Sequence, residues 1–140
     1  MENLKINTSA LLKVAPLAAL AAAAINVVLY FIGDAAGLMD STVGIPGPDG
    51  KVEAITLAPV IMSSIIPTLI AAGVLALLNR FTANPLRIYG IVTIVLFVVT
   101  LANPFMAIPN IPLGMGIWLD LMHAVVAGVA WYAFSNYTKK

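Results

Sequence analysis

The chain contains no cysteine and a single histidine, His123, and only 9% of its 140 residues are charged. Without cysteine there is no disulfide frame and no thiolate chemistry. One histidine leaves too few strong ligands for a metal centre built by one chain, and at most one axial ligand for a haem. Neither a metal nor a cofactor is expected; a homo-oligomer alone could add ligands from symmetry copies. A soluble domain carries about 25% charged residues, so this chain has too little charge to solvate a globular surface. Seven bases against six acids give a net charge of +1, and nothing in that balance points to nucleic acid.

Hydrophobic residues make up 61% of the chain, and its mean hydropathy is +1.03. They lie in long blocks instead of alternating with polar residues. A helix needs roughly 20 predominantly apolar residues to cross a bilayer. Four segments qualify: 12–33, 54–78, 88–107 and 114–134. The expected fold is therefore all-α, an antiparallel bundle of four transmembrane helices forming a single domain over 1–140. The first apolar run continues through "INVVLYFIG", past the roughly 7–15 residues of a signal peptide's apolar region, and reads as a retained span.

Charge sets the expected orientation. Lys5, Lys13, Arg80, Arg87, Lys139 and Lys140 fall on one side of a four-crossing chain, and Lys51 alone falls on the other, with Asp34, Asp40, Asp49 and Glu53. The basic side stays cytoplasmic, so both termini are expected inside the cell membrane. Tyr89, Trp131, Tyr132 and Tyr137 are expected at the inner interface and Trp118 at the outer one.

The connection "DAAGLMDSTVGIPGPDGKVEAITL" is the one long loop. Its Pro48-Asp49-Gly50 is a turn signal between short β-prone runs, which predicts a small hairpin over the outer mouth of the bundle. "RFTANPLR" is a tight inner turn. "NPFMAIPNIPLG", with three prolines, is expected to be extended and stiff. The tripeptide shared by "TANPL" and "LANPF" has no consistent repeat around it. Asn7-Thr8-Ser9 matches a glycosylation acceptor, but lies on the cytoplasmic side, where Ser or Thr is expected to cap the first helix.

The polar residues inside the spans carry most of the functional information. At about 1.5 Å of rise per residue, Asp120 lies about 9 Å and His123 about 13 Å below the outer end of the last span. Asn26 lies about 10 Å deep, Ser63 and Ser64 about 13 Å, and Thr100 and Asn103 within about 10 Å. Every span thus puts a hydrogen-bonding side chain at one level of the outer half. Asp120 and His123 share a helical face with Gly116, Ala127 and Trp131. Asn26, Tyr30 and Asp34 continue a stripe of Ala15, Ala19 and Ala22, small residues that let helices approach closely in lipid. Pro59 and Pro67 free backbone carbonyls near Ser63 and Ser64.

An ionised Asp at mid-span costs about 2.5–3.5 kcal/mol, so Asp120 should face a partner or water, and it is expected to titrate as a coupled pair with His123. Two readings of the layer stand side by side. The polar groups could simply lock helices together, each bond worth about 0.6 kcal/mol. Alternatively they form a ligand, ion or proton site of Asn26, Ser63, Ser64, Thr100, Asn103, Asp120 and His123. A hydrolytic triad of a serine with His123 and Asp120 is a weaker third reading.

The proline-bearing "LAPVIMSSIIP", the "NPLR" turn and "LMHAVVAG" resemble small bacterial four-span membrane proteins grouped as a domain of unknown function, over nearly the whole length. The resemblance implies the architecture and marks His123 as a position to watch. Two functional classes follow: a non-enzymatic structural or accessory subunit, with a membrane-protein partner or a second copy, and a binding protein, sensor or transporter component.

Overall fold

The computed structural model describes residues 5–140. Helix α1 (Thr8–Ala35) leads through a hairpin of β1 (Gly44–Pro46) and β2 (Val52–Ala54) into α2 (Leu57–Phe81). Helices α3 (Pro85–Thr100), α4 (Asn103–Ala107) and α5 (Leu113–Tyr137) complete the chain. With α3 and α4 taken as one stretch, four helices are long and apolar enough to cross a membrane. The expected hairpin is present, pairing Gly44 with Ala54 and Pro46 with Val52 antiparallel. Asp49 caps the turn by accepting from the Lys51 N–H at 3.1 Å, and Gly50 takes φ +76°. Gly44 lies so close to the Glu53 backbone that a Cβ would have no room.

Span boundaries shift for local reasons. Ala54, expected in the second span, ends a strand, and α2 starts three residues later. Asn7, not Thr8 or Ser9, caps α1: its Oδ1 accepts from Ser9 N at 3.0 Å and Ala10 N at 3.2 Å, satisfying two of the orphan N–H groups of the first turn. At the other end, Gly37 (φ +72°) bonds Asp34 O at 3.0 Å and lets Leu38 N reach Gly33 O at 2.8 Å, a left-handed stop that satisfies the last carbonyls.

The segment expected to be extended instead contains α4. Proline lacks an N–H, but a helix's first turn has no acceptor for one, and Pro104 stands in that turn. Pro85 opens α3 in the same way, so the repeated Ala-Asn-Pro starts a helix both times.

Helix α1 packs along both α2 and α5. Ala15, Ala18, Ala19, Ala22 and Ala23 are buried on its inward stripe, while Asp34, expected on that stripe, is exposed. Small side chains bring the three backbones close enough for dispersion and polar contacts to act. The apolar core lies toward the end that carries the termini, around Leu11, Leu75, Leu86, Tyr89 and Phe134. Tyr89, expected at the interface, is buried there, stacked on Trp131 at 5.9 Å between ring centroids. Gly90 makes this possible, because a Cβ there would run into the Trp131 ring. Helix α3 buries only Pro85, Leu86, Tyr89 and Gly90, all in its first six residues. Its remaining turns bury no residue and reach α5 through Phe97 and Thr100.

The termini are tied together at this same end. Ile6 and Lys139 form an antiparallel bridge, and Asn7 N donates to Thr138 O at 2.7 Å. Asn79 of α2 clasps the bridge, accepting from Ile6 N at 3.0 Å and donating to Ile6 O at 3.2 Å.

Candidate functional site: a polar cleft beneath the hairpin

A cleft of about 280 Å³ opens among all the helices at the hairpin end. Asn26, Ser63, Thr100, Asn103, Asp120 and His123 all line it. Six of the seven candidate residues are thus brought together from five helices. Ser64 is the exception, fully buried behind the wall, where it accepts from Asn26 Nδ2 at 2.9 Å. The hairpin contributes Ile45, and the apolar walls come from Ile55, Val60, Met122 and Val126 among others.

The Asn26 side chain has one possible orientation. Ser64 donates its own proton to Val60 O at 2.8 Å, and Asn26 Nδ2 also meets the Met122 carbonyl at 3.0 Å. Both neighbours can only accept, so the amide nitrogen faces them and uses both N–H groups. Asn26 Oδ1 is left buried with no partner, on a residue only 3% exposed.

His123 stacks on Phe97 at 5.8 Å and its Nε2 lies 2.8 Å from Thr100 Oγ1. Thr100 has one proton and two carbonyl acceptors in reach, Leu96 O at 2.8 Å and Phe97 O at 3.0 Å. With that proton on a helix carbonyl, the threonine accepts from Nε2–H and Nδ1 keeps the ring's lone pair; with it on Nε2, the two ring nitrogens exchange roles.

No ion pair joins Asp120 to His123. Among the described residues the one ion pair is Lys51–Asp49 at 3.7 Å, in the hairpin. Thr100 captures the imidazole, and Asp120 Oδ1 is buried without a partner. The serine hydroxyls are likewise engaged with backbone: Ser63 and Ser64 both donate to Val60 O, at 3.1 and 2.8 Å. Neither is on the imidazole, and the triad reading fails on this geometry. Among the described residues no three His, Cys, Asp or Glu side chains stand together as a metal set.

Sequence reasoning did not find Phe97 or the Met122 carbonyl. Phe97 was detectable in principle, three residues before Thr100 and so on the same helical face. The Met122 carbonyl was not, since a backbone acceptor inside a helix leaves no mark on residue type.

The helices and the cleft define a protein compatible with an integral membrane location, with a polar recess set in its apolar helices. The chain belongs to a family of unknown function (DUF6069), whose profile matches residues 7–140. No curated protein and no solved structure matches it.

Proposed function

We propose that this chain is a non-enzymatic membrane binding protein, holding a small polar ligand in the cleft beneath its hairpin. The observation that carries this reading is the pair of unpartnered oxygens, Asn26 Oδ1 and Asp120 Oδ1, on residues lining one recess. A purely structural polar layer would pair its members with one another, because a buried acceptor left unsatisfied costs about 1–3 kcal/mol. Here the locking role is carried by the Asn26–Ser64 and Thr100–His123 bonds, and two acceptors remain over.

In this reading the chain sits in a bacterial inner membrane as a four-helix bundle with both termini cytoplasmic, so the cleft opens in the outer half. The basic residues support it, since Lys5 bonds Asn79 O at the terminal end, where Lys139 and Lys140 also lie. The test is native mass spectrometry of the full chain, extracted from membranes in mild detergent. A retained small molecule, lost in the cleft-filling variant Ser63→Phe with helicity unchanged, is the expected result. A chain without adduct, whose melting temperature does not respond to small amines, acids or alcohols, would overturn it.

A second reading, an accessory subunit, draws on α3. Ile91, Ile94, Val95, Val98 and Val99 are all exposed on turns that pack little against the rest of the chain. Purification from native membranes tests this reading by whether a partner membrane protein accompanies the chain in fixed ratio.

A further inference from the structure

We propose that the group taken by the cleft is a primary ammonium on a short apolar body, an inference that rests on the binding reading above. The argument is an inventory of donors and acceptors. Asn26 has used both N–H groups and offers Oδ1. His123, in the tautomer whose Nε2–H donates to Thr100, offers Nδ1. Asp120 offers Oδ1, and Ser63, its proton engaged with Val60 O, offers only lone pairs. Among the lining residues no lysine or arginine appears, and the Asn103 amide is the one side chain whose N–H donors are uncommitted. The lining therefore consists almost wholly of acceptors around one carboxyl group.

Apart from the Asn103 amide, such a surface offers no free side-chain donor to a phosphate or a carboxylate, and it sets the Asp120 carboxyl group against either. A primary ammonium presents three N–H donors and no acceptor, matching Asn26 Oδ1, His123 Nδ1 and Asp120 Oδ1 in number and sign. Hydrogen bonds to charged groups are roughly twice as strong as neutral ones, so the same ligand would satisfy both buried oxygens at once. All three residues line the same cleft. Asp120 and His123 stand one turn apart on α5, and the Asn26 amide touches α5 between them, at Met122 O. Ile55, Val60 and Val126 would take the apolar body. The volume, about 280 Å³, equals about nine waters at roughly 30 Å³ each and holds an ammonium with a few carbons within the cleft. A free amine and the ethanolamine headgroup of a phospholipid carry the same ammonium.

The experiment uses the full chain in phosphatidylglycerol nanodiscs, which contain no amine, with n-butylammonium as probe followed by calorimetry. Butyltrimethylammonium keeps the charge and removes every N–H, butanol removes the charge, and butyrate reverses it. Butylammonium should bind at least about tenfold tighter than each, the equivalent of one charge-assisted bond. Asp120→Asn, near-isosteric at a residue that makes no hydrogen bond, should weaken it at least about tenfold with the melting temperature of the empty chain unchanged. Displacement of the probe by phosphatidylethanolamine but not phosphatidylcholine would assign the ammonium to a lipid headgroup. Binding undisturbed by either would assign it to a free amine, and both results support the proposal. Equal binding of the trimethyl compound, or indifference to Asp120→Asn, overturns it. Binding of butyrate or butanol instead, abolished by Ser63→Phe, overturns the ammonium while leaving a ligand-binding cleft; no binding of any probe overturns both.

Discussion

The indole of Trp118 occupies the space that a Cβ on Gly33 would need, and its N–H donates to the Leu29 carbonyl at 3.0 Å. One contact therefore couples the last turns of α1 to the first turns of α5, next to the cleft. The ring Cδ1 lies 2.8 Å from the Cβ position, so Gly33→Ala must displace the indole and break its hydrogen bond. Overpacking of this kind costs about 1–3 kcal/mol. Unfolding in mixed micelles should register that loss, with a red shift in tryptophan emission. Unchanged stability and emission would show that the two helices are not interlocked here.

Ser64 sits at the hinge of the polar layer, donating to Val60 O and accepting from Asn26. Ser64→Ala leaves one Asn26 N–H without an acceptor. Side-chain bonds between membrane helices average about 0.6 kcal/mol with a ceiling near 1.7, and the loss should fall in that range. Asn26→Leu removes the bond to Met122 O as well and should cost more. Equal losses from the two variants would mean that the Met122 bond contributes nothing.

Asn79 grips the backbone of Ile6 from both sides. Asn79→Ala deletes both bonds, each worth about 0.5–1.5 kcal/mol net, and should release the bridge before it affects the spans. Hydrogen exchange at Asn7 and Lys140, whose N–H groups bond Thr138 O and Lys5 O across the bridge, should accelerate while the α2 interior stays protected. Uniform acceleration along α2 would place Asn79 in the global core instead.

Asp40, in the loop before the hairpin, accepts from the Thr42 hydroxyl at 2.6 Å and the Thr42 N–H at 2.8 Å. These bonds favour the carboxylate and hold Asp40 below its ordinary value of 3.8. A depressed carboxyl stabilises its turn above the unfolded value and loses that contribution as pH falls through the folded one. The Asp40 carboxyl shift, followed by NMR, should titrate below 3.8. Thr42→Val should raise the midpoint toward that value, and a midpoint unmoved by the substitution would remove Thr42 as the cause.

The four apolar runs were legible because each is too long and too dry to be anything but a buried or membrane-spanning helix. The hairpin was legible because Pro48-Asp49-Gly50 encodes a turn locally. The cleft residues were legible as well: a polar side chain in an apolar run is conspicuous, and helix rise converts position into height. What escaped depends on partners far along the chain. The burial of Tyr89 depends on Gly90 admitting Trp131, 42 residues further along, beside it. The partner of the imidazole, Thr100, lies 23 residues before His123 on another helix, and nothing local to either residue announces it. The prolines of "NPFMAIP" suggested a break, but at a first turn the ring's fixed φ favours a helix, and α4 follows.

With Lys5 and Lys140 hydrogen-bonded across the bridge at 3.4 Å, the described chain runs as a nearly closed loop, fastened at Asn79 and drawn out to a tip at Asp49. A polypeptide joined at the fastening and opened at the tip would keep every helix, and its new ends would emerge beside the cleft instead of at the far side of the molecule. The recess under the hairpin is built by the loop as a whole, from residues of all five helices.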